Sequence, residues 1–180
     1  MKLTTKDLIM CAIFASITAI LAQVSIPIPF STVPLTMQVF AVTISGVILG
    51  AKRGFISQLI YVMLGAIGMP VFAQMTGGVH IIVGYTGGFI MAFPIMALVI
   101  GIISDKFKKL NYILLAMGFA LLINYIIGTA WYSLISGVGF KEGFIACVVP
   151  FIAVDIIKVF FAATVGVNVK KRVLKGVIAF

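Results

Sequence analysis

The chain has 180 residues, of which 63% are hydrophobic and only 9% are charged, and its mean hydropathy is +1.29. Soluble domains have about half apolar and about a quarter charged residues, so this composition excludes an ordinary soluble domain and indicates a protein that folds in lipid. The formal net charge of +9 does not indicate nucleic-acid binding, because the basic residues lie mostly in short turns between apolar runs.

Apolar runs long enough to cross a membrane recur along the whole chain. A membrane-spanning helix needs about 20 apolar residues, within a range of about 17–25. The runs and the residues that interrupt them predict an all-α integral membrane protein, with a single domain over residues 1–180 and six transmembrane helices. The predicted spans are residues 7–25, 36–51, 54–68, 87–104, 111–136 and 144–169.

The basic residues predict how these helices are oriented. Lys and Arg are enriched in the cytoplasmic turns of membrane proteins. When the N-terminus is placed in the cytoplasm, all thirteen basic residues except Lys141 and Lys158 fall on the cytoplasmic side. Lys141 then lies outside, and Lys158 lies within the sixth span. A count of five or seven spans breaks this alternation, so we expect six helices with both termini in the cytoplasm.

The two outer connections in the first half of the chain differ from the short inner turns. Residues 25–36 contain three prolines and no charge, and residues 68–88 are rich in glycine. Loops of such length in a compact domain are usually functional or disordered, and these are too apolar for disorder. We expect them to fold back on the helix bundle, and the alternative is that they are ordinary exterior loops.

The run IAVDIIKVFF puts two opposite charges, Asp155 and Lys158, into the sixth span. They lie roughly 16–21 Å along this span, near the middle of the membrane, and their spacing places them on one helix face. A charge at that depth costs at least about 2.5–3.5 kcal/mol, so the pair must face the bundle interior or a polar cavity. Two interpretations remain open: a purely structural salt bridge, and the polar floor of a substrate cavity. Pro150 predicts a bend in the helix just before the pair.

Other polar and aromatic residues have less specific interpretations. Asn124 in the fifth span is suited either to an interhelical hydrogen bond or to a ligand contact. Trp131 and Tyr132, near the outer end of that span, are interpreted as interfacial anchors. His80 is expected to be a solvated or interfacial side chain of the outer loop.

Sequence motifs for catalysis, phosphate binding and metal binding are absent. The chain has no GxxxxGK[ST] loop, no CxxC, and no arrangement of Ser, His and Asp that indicates catalysis. It also has too few acidic residues within its spans for a typical proton or sodium relay. We therefore expect no enzymatic activity, no cofactor and no metal. If the chain transports a solute, its energy is expected to come from another protein.

Small residues form a stripe along the first predicted helix. In CAIFASITAILA, Ala12, Ala15, Ala19 and Ala22 are spaced by three, four and three residues. Such residues let helix backbones approach closely in lipid. The stripe is suited either to packing within the bundle or to docking on a second membrane protein.

A series of segments resembles one known family. IPIPFSTVPLTMQVFAVTISGVILGAKRG, GAIGMPVFA, TGG, GYTGGF and then Asp155 with Lys158, in this order, resemble the BioY family, the biotin-specific S components of energy-coupling-factor (ECF) vitamin transporters. The resemblance covers nearly the whole chain. It implies an ECF S-component-like bundle in a prokaryotic cell membrane, with high-affinity biotin binding near the outer face. The implied partners are a transmembrane coupling protein and two ATP-binding cassette subunits, which hydrolyse the ATP.

The resemblance also implies which residues bind the substrate and the coupling protein. The candidate substrate-binding residues are Asp155, Lys158, Tyr85, Thr76, Gln74, Asn124, Gln38 and Phe30. The candidate docking residues are Ala12, Ala15 and Ala19. Many relatives have Gly-Gly where this chain has Gln74-Met75, and many have Pro where it has Tyr85, so the loop contacts are not fixed by the resemblance.

The chemistry of the charged pair suits biotin. The ureido ring has two N–H donors and one strong acceptor, which match an acceptor-only carboxylate and a donor-only ammonium. A second orientation, in which Lys158 binds the valerate carboxylate, remains open at this stage. Two other functions also remain open: a self-sufficient secondary carrier, and a small membrane enzyme that uses the Asp155/Lys158 pair.

Overall fold

A computed structural model of the chain describes residues 3–29 and 31–178, with side chains described as far as residue 172. Seven α-helices dominate this part of the chain, and two short strands pair in an outer loop. The helices are α1 (Thr5–Ala22), α2 (Gln38–Ala66), α3 (Val79–Ile82), α4 (Gly87–Lys106), α5 (Leu110–Ser136), α6 (Phe140–Cys147) and α7 (Ile152–Ile178). The strands are β1 (Ser25–Ile26) and β2 (Leu35–Thr36), which pair antiparallel.

Helix α2 folds back on itself at Gly50, which has φ 78° and ψ −176°. A Cβ atom on Gly54 would lie only 3.2 Å from the Cα of Gly46. A continuous helix excludes such a contact, because eight residues span about 12 Å. Residues 38–49 and 51–66 are therefore antiparallel halves of a hairpin, in the place of the predicted second and third spans. The reversal falls at Gly50, next to the predicted boundary between the spans 36–51 and 54–68.

The hairpin turn is held by charged residues of two other helices. The Asp105 carboxylate accepts a hydrogen bond from the backbone N–H of Ala51 at 3.0 Å, and Lys170 donates to the same carboxylate at 3.3 Å. A side chain at Gly50 would overlap Asp105. Asp105 thus caps the second half of the hairpin and connects α2, α4 and α7 at one end of the bundle.

The sixth span is broken near Pro150, as predicted. Helix α6 ends at Cys147, residues Val149–Phe151 form a 3₁₀ turn, and α7 begins at Ile152. Pro150 cannot donate a backbone hydrogen bond, so the α-helical ladder is interrupted at this point. The break lies just before Asp155 and directs the first turn of α7 into the bundle.

Close backbone contacts and a small polar cluster hold the bundle together. A side chain at Gly46 would meet the backbone of Ala97 in α4 at 2.8 Å, so these helices pack at the distance that small residues permit in lipid. The amide of Gln58 donates to the hydroxyls of Thr18 and Ser45, both at 3.0 Å. Gln58 therefore fixes α1 against both halves of the α2 hairpin.

Within the described residues, five helical stretches are long and apolar enough to cross a membrane: Thr5–Ala22, Gln38–Ala66, Gly87–Lys106, Leu110–Ser136 and Phe140–Arg172. When the α2 hairpin is counted as two passes, these stretches correspond to the six expected helices. The predicted fold class is confirmed, apart from the short β1–β2 pair within the 25–36 loop.

Candidate functional site

A cavity of about 350 Å³ lies at the end of the bundle opposite the α2 turn. Its walls come from the end of the 25–36 loop, the start of α2, the segment 72–86, α4, α5 and the α6–α7 break. Its volume is within the range of about 300–1,000 Å³ that is typical of small-molecule sites. Both outer connections therefore fold back on the bundle to line this cavity.

The structure brings most of the predicted substrate-binding residues together in this cavity. Those that line it are Asp155, Lys158, Tyr85, Thr76, Gln74, Asn124 and Gln38. Phe30, the eighth predicted residue, lies outside the described residues. His80 also lines the cavity, and its side chain is exposed, as expected for the outer loop.

Asp155 and Lys158 form a buried ion pair in the wall of the cavity. The Lys158 Nζ lies 2.8 Å from Asp155 Oδ1, and the two residues are only 7% and 4% exposed. The Tyr125 hydroxyl donates to Asp155 Oδ2 at 2.8 Å, and Lys158 donates to the backbone carbonyl of Thr36 at 2.7 Å. The pair is ion-paired and also lines the cavity, so both interpretations share this geometry, and binding measurements on variants separate them.

The pair keeps hydrogen-bonding capacity for a ligand. A carboxylate has about four acceptor positions and an ammonium has three donors. Asp155 uses one position on each oxygen, and Lys158 uses two donors. The pair as a whole is electrically neutral. It can thus accept hydrogen bonds from a ligand and donate one more without binding a net charge.

Two buried amide side chains of the cavity, Asn124 and Gln38, differ in how many hydrogen bonds they already make. Asn124 is 2% exposed, and its Oδ1 has no hydrogen-bond partner in the part of the chain that the structure describes. A buried polar atom without a partner costs about 1–3 kcal/mol, so a ligand donor at this position would be stabilising. Gln38 accepts from the Thr36 hydroxyl at 2.8 Å and donates to the Tyr61 hydroxyl at 2.7 Å. Asn124 is thus open to a ligand, whereas Gln38 braces the cavity wall.

Aromatic rings form the apolar walls. Phe72, Phe89, Phe93 and Phe151 all line the cavity. The Phe72 ring packs edge-on against Tyr61, with centroids 5.6 Å apart. The sequence did not identify these walls, because 15 phenylalanines are indistinguishable in a hydropathy pattern.

The rim of the cavity is held by residues on neighbouring helices. The Trp131 indole N–H donates to the carbonyl of Gly84 at 3.0 Å, and the Tyr132 ring lies 5.7 Å from the Tyr85 ring. These two aromatic residues, interpreted from the sequence as interfacial anchors, therefore also position the outer loop. Gln74 and Met75 have φ angles of 58° and 56°, in the left-handed region that favours glycine.

Comparison with known proteins identifies the family. The family model described as the BioY family matches residues 1–175. The chain belongs to the BioY family. A "probable biotin transporter BioY" of Pyrococcus horikoshii is 44% identical over 85% of this chain and 89% of its own length. The biotin transporter BioY of Thermotoga maritima is 36% identical over 92% of this chain and 96% of its own length.

A solved structure has the same fold. The crystal structure of the S component for biotin from an ECF-type ABC transporter superposes with a TM-score of 0.86 at 26% sequence identity. The match covers 94% of this chain and 95% of that one. The resemblance to the BioY family seen in the sequence is thereby confirmed.

The alanine stripe of α1 divides between the core and the surface. Ala15 is 2% exposed and Ala22 is fully buried, and both pack within the hydrophobic core. Ala12 is exposed and Ala19 is half-buried. Packing within the bundle therefore accounts for Ala15, whose side chain is not presented to a partner in this structure. Docking by Ala12 and Ala19 stays a prediction.

Two contributors to the charged site were not predicted from the sequence. Tyr125 did not stand out among the many apolar residues of α5. Its position directly after Asn124 was the one sequence signal that could have drawn attention to it. Thr36 contributes its backbone carbonyl, for which a sequence contains no residue-specific signal.

Proposed function

We propose that this chain is the biotin-binding S component of an ATP-driven ECF-type importer. Membership of the BioY family supports this function, because the matched relatives are described as biotin transporters and the matched structure as an S component for biotin. The structural observation that supports biotin as the ligand is the neutral Asp155–Lys158 pair in the wall of a cavity lined by aromatic rings. Biotin has the matching shape: a polar ureido ring on an otherwise apolar bicycle, with a carboxylate at the end of a flexible chain.

The electrostatics of the pair favour the ureido ring over the carboxylate at this end of the cavity. Lys158 is neutralised by Asp155 at 2.8 Å, so a carboxylate placed there would meet Asp155 as well as Lys158. Burying a second anion beside a compensated pair is unfavourable. The ureido ring is neutral and offers two N–H donors, one for Asp155 and one for the unpartnered Oδ1 of Asn124. The remaining donor of Lys158 is suited to the ureido oxygen.

The valerate carboxylate then extends toward the rim. The rim includes Gln74, Thr76 and Tyr85, and Gln74 and Tyr85 are solvent-exposed. A carboxylate there keeps part of its hydration, which lowers the cost of binding an ion. Phe89, Phe93 and the other rings are suited to the bicycle between these two ends.

Calorimetry of the detergent-purified chain tests the function and the orientation together. Biotin is expected to bind, whereas riboflavin and thiamine serve as negative controls. Biotin methyl ester, which lacks the anionic carboxylate, is expected to bind only moderately more weakly than biotin. Iminobiotin, whose guanidinium-like ring is cationic at neutral pH, is expected to bind far more weakly because it places a cation beside Lys158. Absence of biotin binding would refute the function, and the opposite ranking of the two analogues would support the reversed orientation.

The proposal includes the location and the partners of the chain. It is a multi-pass protein of a prokaryotic cell membrane, with both termini and the turn near Lys52 and Arg53 in the cytoplasm. It has no catalytic activity of its own, and a transmembrane coupling protein with two ATP-binding cassette subunits supplies the energy. Biotin uptake in cells that lack a coupling module is expected to be negligible, whereas full uptake there would favour a self-sufficient carrier.

The exposed edge of α1 is the proposed docking surface for the coupling protein. Ala12 is exposed and small, so a partner helix can approach closely there. Ala12→Trp is expected to reduce copurification with the coupling protein while biotin binding is retained. Leu115→Trp, at a 71% exposed position of α5, is the matched control and is expected to copurify normally. Normal copurification of Ala12→Trp would show that the coupling protein docks at a different surface.

A further inference from the structure

Gln23, the residue that follows α1, connects this helix to the segment that closes the cavity. Its side-chain Nε2 donates to the carbonyl of Phe72 at 3.1 Å, and its Oε1 accepts from the backbone N–H of Met75 at 2.8 Å. The same Nε2 also donates to Ala19 within α1 at 3.0 Å. One amide group thus binds both sides of the 72–76 turn and anchors it to α1.

The 72–76 turn forms part of the cavity wall. Phe72, Gln74 and Thr76 all line the cavity, and the turn is closed by a hydrogen bond from the Phe72 N–H to the Thr76 carbonyl at 2.9 Å. A displacement of this turn would therefore open the rim of the cavity and move the Phe72 ring out of the cavity wall.

The backbone of the turn is unfavourable for its own sequence. Gln74 and Met75 have φ angles of 58° and 56°, and two successive non-glycine residues in this region are strained. Such a conformation persists only where surrounding contacts impose it. The bond from the Met75 N–H to Gln23 acts directly on one of the strained residues, so Gln23 is suited to holding the turn in place.

We propose that Gln23 is a positioning residue that keeps the 72–76 turn closed over bound biotin and thereby sets how long the substrate stays bound. This inference rests on the proposed function. Because Gln23 directly follows α1 and is bonded to Ala19 of that helix, a displacement of α1 relative to the turn breaks both hydrogen bonds together and releases the rim.

The test compares Gln23→Met with the unmodified chain. Methionine keeps the length of the side chain and removes both its donors and its acceptor. The purified proteins are loaded with tritiated biotin, and dissociation is followed after addition of excess unlabelled biotin. We expect Gln23→Met to release biotin about tenfold faster, which corresponds to about 1.4 kcal/mol, with a nearly unchanged association rate. Ser16→Ala, which removes an exposed α1 hydroxyl that donates to the Ala12 carbonyl of the same helix, is the control and should leave release unchanged.

Hydrogen exchange separates positioning from a general loss of stability. In Gln23→Met without biotin, amides of residues 71–78 should exchange faster, whereas those of residues 38–49 should not. Uniformly faster exchange, or a release rate equal to that of the unmodified chain, would overturn the inference. If Gln23→Met cannot be purified, Gln23→Asn replaces it, because its amide is one methylene too short to reach both sides of the turn. If the unmodified chain binds no biotin, the proposed function fails instead.

Discussion

The ion pair between Asp155 and Lys158 permits a prediction that separates substrate contact from structural support. Asp155 accepts hydrogen bonds from Lys158 and Tyr125, and Lys158 also donates to Thr36, so each charge depends on the other for its burial. Removing one partner of a buried pair is expected to destabilise the fold by about 3–5 kcal/mol. Asp155→Asn and Lys158→Met should therefore each lower the unfolding temperature clearly.

The binding of biotin should respond differently from stability. A charge-assisted hydrogen bond contributes about 1.5–3 kcal/mol, so loss of one from either residue should weaken binding about 10- to 150-fold. The double variant Asp155→Asn/Lys158→Met strands no charge. It should be at least as stable as either single variant, and its biotin binding should still be weakened at least about tenfold.

Titration calorimetry and thermal unfolding of the three variants in one detergent measure both quantities. The control is Asp105→Asn/Lys170→Met, which removes the ion pair at the opposite end of the bundle and should leave biotin affinity unchanged. Near-wild-type binding by the Asp155/Lys158 double variant would refute the reasoning, because a purely structural pair predicts that binding recovers once the stranded charge is gone.

Three further predictions follow from the cavity and the topology. Both cysteines are buried, and Cys147 also lines the cavity, so biotin should slow the modification of Cys147 by a small thiol reagent and leave that of Cys11 unchanged; modification of Cys147 at the same measurable rate with and without biotin would contradict the site. Gly65→Ala should weaken biotin binding and destabilise the protein by about 1–3 kcal/mol, because its Cβ would overlap the Phe72 ring; unchanged calorimetry would be the contrary result. In a background without native cysteines, Lys108→Cys should react with an impermeant reagent only after the cells are opened, and labelling from outside would reject the six-span orientation.

The helices were predictable because their signal is strong and local. The apolar runs predicted the number of helices. Pro150 predicted the bend before α7, because proline cannot continue the hydrogen-bond ladder. The burial of Asp155 and Lys158 followed from the cost of exposing a charge to lipid. The sequence did not identify Gly50 as the residue where α2 reverses, because the basic residues of AKRG mark a membrane surface but not the residue with positive φ.

The details of the site depend on information that a single sequence does not contain. The Thr36 carbonyl that receives Lys158 is a backbone atom, and every residue has one. The bonds of Gln23 to the 72–76 turn join residues about fifty positions apart, so no local pattern indicates them. Ala15 faces the core although Ala12 is exposed, and spacing alone does not tell which side of a small-residue stripe meets the bundle.

The short halves of the α2 hairpin have a consequence for how the protein sits in its membrane. Residues 38–49 and 51–66 extend only about 18 Å and 24 Å, whereas the hydrocarbon layer is about 30 Å thick. In the proposed orientation Lys52 and Arg53 lie at one membrane surface, so the other ends of both halves would lie below the opposite surface. The 25–36 loop, which precedes the first half, and residues 67–86, which follow the second half, would then occupy bilayer depth that helices usually fill.

Irregular backbone at such depth is tolerated only where it is buried in protein or lines a cavity. The pairing of β1 with β2 and the bridge between Phe72 and Thr76 satisfy part of this backbone internally. The thickness of the bilayer is therefore expected to affect how easily a ligand enters the cavity. A thicker membrane must thin locally around the hairpin or cover the rim of the cavity, so the rate of substrate entry should depend on the acyl-chain length of the surrounding lipid.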